Sequence, residues 1–337
     1  MKQEEIFVPG APDIPGLRFR PFGGEADYAA MAAVQARAHQ ADGIDAITTA
    51  AEWRNTYENL VHCDPGTDTL FAEVYGALVA FGRVRWRDQS DGMRRFDTFG
   101  FVDPGWRRRG LGRAMLRWIE RRAAAIHASL PPAAGGAILA TSAEDGELGK
   151  IALLRHEGFA PLRYERYMRR SLDEPIPDAP LPAGFEFRPA QPEHYRAIWE
   201  ADDRGFEDHW GHAPGTEQDY RRWLGGSHLQ PELWRVIWHI ESNRIAAQVL
   251  SFVDHEENER CGRRRGYTED ITTQREFRRM GLARAALCES MRMFRDMGFS
   301  ETYLGTDSQN LTGSYRVYEW CGYRTDKLET TYSKALA

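Results

Sequence analysis

YTEDITTQREFRRMGLARAAL, residues 267 to 287, is the stretch from which the rest of the chain can be read. Ile271, Thr272 and Thr273 form a β-branched strand end, and the basic run from Arg275 to Arg279 follows. Met280, Gly281, Leu282, Ala283 and Arg284 then open a helix. A glycine at a strand-to-helix turn lets backbone N–H groups converge on one point, and the helix start adds the positive end of its dipole. Arg278 and Arg279 place full charges beside those amides. The order Arg-x-x-Gly-x-Ala therefore suits a phosphate.

The device occurs twice. Arg107 to Gly112 repeats it after the strand-like run FGFV, so Arg108, Arg109, Gly110, Leu111, Gly112 and Arg113 form a second candidate anion loop. Gly110 and Gly281 stand 171 positions apart, and the openings GLRFRPF (from Gly16) and GFEFRPA (from Gly184) stand 168 apart. Two landmarks at nearly one offset imply an internal duplication, with a period too long for a solenoid. Strand, Arg-x-x-Gly-x-Gly/Ala and helix, in two copies, resembles the acetyl-CoA pyrophosphate loop of the GCN5-related N-acetyltransferases (GNAT). The tandem arrangement is similar to that of the mycothiol synthase type. The resemblance implies acetyl-CoA as co-substrate, no metal, and a primary amine of a small molecule or peptide as acceptor; the alternative is a non-catalytic CoA-binding or regulatory protein of the same tandem build.

Composition agrees with a globular pair of domains. The chain has 337 residues, 42% hydrophobic and 28% charged, without an apolar run of membrane-spanning length. MKQEEIFVPG lacks the apolar core of a secretory signal, so a cytoplasmic location is expected. A net charge of −6 argues against nucleic acid as partner, and nothing points to a membrane. Oligomeric state is left open. Cys63, Cys261, Cys288 and Cys321 show neither metal-site nor disulfide spacing. Between the copies lies DEPIPDAPLP, whose prolines oppose both helix and paired strand. The expected division is residues 1–172, a proline-rich linker at 173–183, and residues 184–337. Strand-like and helix-like runs alternate in the same order in each copy, so an α/β fold is expected. The resemblance sharpens this to two tandem GNAT-like domains, each a mixed, mostly antiparallel sheet flanked by helices.

Further residues take roles from the resemblance. Backbone groups of Ile271 and Thr273 would pair with the pantetheine arm, which Asn310 would also contact, and Thr272 between them belongs to the same cofactor-binding strand. Tyr318, four residues before Gly322, would return a proton to the leaving thiolate, a role suited to a phenol. Glu269 is the preferred base for the amine, with Asp270 and Asp307 as alternatives. Gly305 stands where some relatives carry a glutamate. Counting from the matched landmarks puts Thr98, Gly146 and Leu154 at the places of Glu269, Asn310 and Tyr318. The second copy is therefore expected to be catalytic and the first degenerate. The acceptor side is expected near Phe206 to His212 and Asp254 to Glu259.

Overall fold

The computed structural model describes residues 5–309 and 313–336. The first copy's sequence runs β1 (Leu17–Arg20), α1 (Glu25–Asp42), α2 (Ala50–Glu58), β2 (Thr69–Val74), β3 (Ala77–Asp88), β4 (Arg94–Val102), α3 (Leu111–Ser129), β5 (Ala137–Glu144), α4 (Leu148–His156) and β6 (Ala160–Ser171). The second runs β7 (Phe185–Arg188), α5 (Tyr195–Gly205), α6 (Glu217–Leu224), β8 (Arg235–His239), β9 (Arg244–Phe252), α7 (His255–Cys261), β10 (Arg265–Thr273), α8 (Leu282–Asp296), β11 (Glu301–Asp307), α9 (Tyr315–Trp320) and β12 (Arg324–Ala335). The α/β class and the repeated order are as the sequence predicts.

The compact units are Met1–Leu162 with Thr330–Ala337, and Arg163–Glu329. They do not divide at the proline-rich stretch. Most of β6 is built into the second unit, pairing antiparallel with β11, and the end of β12 is built into the first, where the Leu336 N–H donates to the Ala137 carbonyl at 2.9 Å. The prolines sit within the second unit: Ile176, Ala179 and Leu181 pack on its core. Arg170 donates to the Pro175 carbonyl at 2.7 Å and Arg292 to that of Pro177 at 3.0 Å. A stretch stiff in isolation is thus a packed strap, because its apolar residues find the core and two guanidiniums take up its carbonyls.

Each unit's sheet opens with four antiparallel strands and then adds one in parallel. In the first, β1, β2, β3 and β4 pair antiparallel in that order, and β4 pairs parallel with β5. In the second, β7, β8, β9 and β10 do the same, and β10 pairs parallel with β11. α8 is buried over most of its circumference, through Leu282, Ala285, Ala286, Met291 and Phe294, all at most 2% exposed. Fully burying a side chain such as Leu282 or Phe294 stabilises by about 1.5–3 kcal/mol, which fixes the helix start below the loop.

Candidate active site

Both arginine–glycine loops adopt one backbone shape. Arg108 and Arg279 have φ of 63° and 67°, and Gly110 and Gly281 both have φ of 87° as the residues that cap α3 and α8. Alternating left-handed residues before a helix start turn successive N–H groups inward, a concavity for anions. A Cβ at Gly281 would meet no protein atom within 4 Å, so the space beside it is open. Arg107 and Arg278 serve as struts. Arg107 donates to the Val102 carbonyl and pairs with Asp42 at 2.7 Å; Arg278 donates to the Thr273 carbonyl and pairs with Asp208 at 2.6 Å. Arg278, expected among the anion's own partners, thus has its charge engaged by protein. Arg279 and Met280 are exposed on the loop. Arg109 lies over the Trp106 ring and Arg284 over that of Trp320. Arg113 pairs with Glu157 at 3.1 Å.

Beside each loop the parallel strands part. β10 and β11 pair only from Arg265 to Tyr267, and β4 and β5 only from Arg94 to Asp97. Glu269 lies just past the split and reaches across it: the Gly305 N–H donates to its Oε1 at 3.0 Å. Next to it β10 carries a bulge. Glu269 faces Leu250 and Thr272 faces Gln248, so Asp270 and Ile271 fall outside the register, with Asp270 at φ 45°. The bulge frees Ile271 backbone groups from the ladder. Burial and the Asp270 carboxylate push the Glu269 carboxyl well above its ordinary value, against the pull of the Gly305 N–H. Tyr318 is buried in α9. Burial pushes its phenol up, the Ser314 and Thr306 side chains hydrogen-bond to it, and the Glu269 charge acts on it too. Asn310 lies outside the described residues.

The first unit has no such bulge. β3 and β4 pair without interruption from Ala80↔Val102 to Asp88↔Arg94. Read by register, Thr98 opposite Val84 matches Thr268 opposite Ser251, and Phe99 opposite Arg83 matches Glu269 opposite Leu250. The counterpart of Glu269 is therefore Phe99. Counting back from the loop arrives at Thr98 because it crosses the extra residue in β10. Phe81 and Phe101 likewise stand for Gln248 and Thr272, and the three phenylalanines pack on one another. Leu154 does match Tyr318: Phe159 N–H bonds the Leu154 carbonyl at 2.9 Å as Tyr323 N–H bonds that of Tyr318 at 3.0 Å. A cavity of about 570 Å³ runs from Arg108, Gly110 and Arg113 to Phe99 and Leu154.

The alternative bases differ in setting. Arg163 grips Asp307 at 2.6 Å. Asp270 is pushed up to about 6 by burial. Asp202 on α5 accepts from the Gln248 amide at 3.2 Å and is raised by burial and by Asp270. On the expected acceptor side, Asp208 holds Arg275 and Arg278, and His212 contacts Asp203 at 3.2 Å. Glu257 is buried in α7, bonded to Arg263 and Tyr267. A residue the sequence reading missed is Glu165 on β6. Its Oε1 lies 2.9 Å from where a Cβ of Gly305 would stand, so the room at that glycine is taken by a carboxylate from the next strand. Only strand pairing, invisible at a separation of 140 residues, brings the two together.

Among the described residues, no three metal-binding side chains gather, and no helix is long and apolar enough to cross a membrane. The sequence pattern of the Acetyltransferase (GNAT) family matches residues 32–130 and 195–323. The chain belongs to this family. This N-acetyltransferase is 25% identical over 315 residues to mycothiol acetyltransferase of Geodermatophilus obscurus, covering 92% of this chain and 95% of the other. Over 127 residues it is 35% identical to that of Thermomonospora curvata, covering 36% and 37%. Among solved structures, a GCN5-related N-acetyltransferase from Sphaerobacter thermophilus superposes with TM-score 0.70 at 24% identity, over 97% of both chains. A tandem GNAT protein from the clavulanic acid biosynthesis pathway gives TM-score 0.66 at 14% identity, over 95% of this acetyltransferase and 99% of that chain. The tandem GNAT architecture of the chain is thereby shown, with acyl-CoA-dependent N-acetyl transfer as its general activity.

Proposed function

We propose that the second unit moves an acetyl group from acetyl-CoA to a primary amine of a small molecule or peptide by direct transfer, and that the first unit does no chemistry. One observation carries this. At matched positions beside matched loops, the second unit has Glu269 and Tyr318, and the first has Phe99 and Leu154. A phenylalanine accepts no proton and a leucine donates none.

The residues fit the co-substrate. Backbone N–H groups from Arg279 to Ala283 would hold the pyrophosphate, and the freed groups of Ile271, with Thr273, would pair with the pantetheine arm. The first unit's loop, Arg108 to Arg113, has the same backbone shape and the open cleft beside it, which supports a CoA held there without turnover. When bound, acetyl-CoA supplies the activated acyl carbon. Glu269 takes the ammonium proton, since only the neutral amine is nucleophilic, and a backbone N–H at the split strands polarises the carbonyl. Tyr318 hands its proton to the sulfur as the C–S bond breaks. Holding both reactants in line lowers the barrier by up to roughly 7–11 kcal/mol in favourable systems.

The test is thiol release from acetyl-CoA against a panel of amines, small molecules first because of the likeness to mycothiol acetyltransferase. Glu269→Gln is expected to lower turnover at neutral pH by about 10²-fold, with the deficit shrinking as pH rises and more amine is already neutral. A deficit constant across pH would remove Glu269 as the base. CoA binding with no amine supporting release would mark a CoA-binding protein instead.

A further inference from the structure

Transfer to an ammonium acceptor leaves one proton over. The nitrogen begins with three protons and ends, as an amide, with one; one goes to sulfur and the other must reach solvent. Glu269 is half-buried, with one oxygen held by the Gly305 N–H. Against Gly305 stands Glu165 of β6, exposed to solvent. Asp307, opposite Glu165 in the register, is gripped by Arg163. Glu329 of β12 is bonded by the Tyr167 hydroxyl at 3.2 Å.

We propose, resting on the reading of Glu269 as base, that Glu165 is the second carboxyl of the acid–base centre, set across Gly305 from Glu269. Glu165 is a positioning residue. Its charge keeps a proton attractive to Glu269. Among the described residues, the Glu329 and Asp307 charges act on Glu165, and Glu165 in turn acts on Glu269; Arg163, two places along β6, is paired with Asp307. Glu165 is accessible, yet walled by protein on several sides. That partial desolvation, with the Glu329 and Asp307 charges, pushes it up to about 7, where it exchanges protons readily at neutral pH. Gly305 makes the arrangement possible: a side chain there would strike the Glu165 carboxylate.

The decisive measurement is a carbon-13 NMR titration of the Glu269 carboxyl, assigned through Glu269→Gln, in the wild type and in Glu165→Gln. The Glu269 midpoint is expected to fall by roughly 1 pH unit when the neighbouring charge is removed. The acid limb of kcat/KM for thiol release should move down with it. A relocated carboxyl, Glu165→Gly with Gly305→Glu, should return both midpoints toward the wild type, because the new side chain grows into the vacated space. An unchanged Glu269 midpoint in Glu165→Gln overturns the pair, as does a uniform rate loss with superimposable pH profiles. The NMR arm needs no turnover, so failure of every amine would count against the proposed function while the pair is still decided. An active enzyme with an unmoved midpoint would reject the pair alone.

Discussion

Tyr318→Phe is expected to slow turnover about 10³-fold while leaving CoA affinity nearly unchanged. The substitution removes one oxygen and keeps the ring, which lies in the core of the second unit and meets Tyr323 edge-on, centroids 6.4 Å apart. If the hydroxyl served packing alone, its loss would cost about 1 kcal/mol of stability and little activity. Its setting suggests more. Burial holds the phenol protonated well beyond neutral pH, while Ser314 and Thr306 keep it oriented. Such a phenol arrives protonated and fixed in direction, so its proton is in place for the sulfur as the C–S bond breaks. Calorimetry with CoA and single-turnover kinetics separate the two roles. Wild-type turnover in a folded Tyr318→Phe would return the residue to the core.

What was legible in the sequence is what local rules control. Gly281 and Gly110 announce their loops because a left-handed residue before a helix start favours glycine, and the duplication follows from two such signals at one offset. Glu269 was legible as a carboxyl near the loop. Its reach to Gly305 was not, since that depends on where β10 and β11 part. The bulge was hidden for a related reason. A single inserted residue leaves composition unchanged and shows itself only in the pairing with β9, so counting chose Thr98 over Phe99. Glu165 was out of reach because β6, written at the end of the first copy, is built into the second unit. Arg278 reads as a phosphate ligand in sequence, but a neighbouring carboxylate, Asp208, is not something its motif can reveal.

Gly281→Val is expected to weaken CoA binding at the second unit by 100-fold or more, whereas Gly110→Val leaves turnover nearly intact. At φ of 87° valine is strained by about 1–3 kcal/mol, so the loop either keeps its shape with a branched side chain in the open space or loses that shape. Both outcomes deny the anion its N–H groups. Gly281→Ala, which shares the strain with less bulk, should fall between valine and glycine. At Gly110 the backbone is the same, and an added Cβ would sit 3.5 Å from Pro12, in ordinary contact. Valine there should remove any CoA bound by the first unit, lowering the stoichiometry, along with the thermal protection that ligand confers. Turnover should hold, because Phe99 and Leu154 carry no proton chemistry to lose. Gly281→Val with unchanged CoA affinity would detach the loop from the co-substrate. If Gly110→Val abolished turnover while the second unit still bound CoA, the first unit would have to be an active partner, and the division of labour drawn from its phenylalanines would fall.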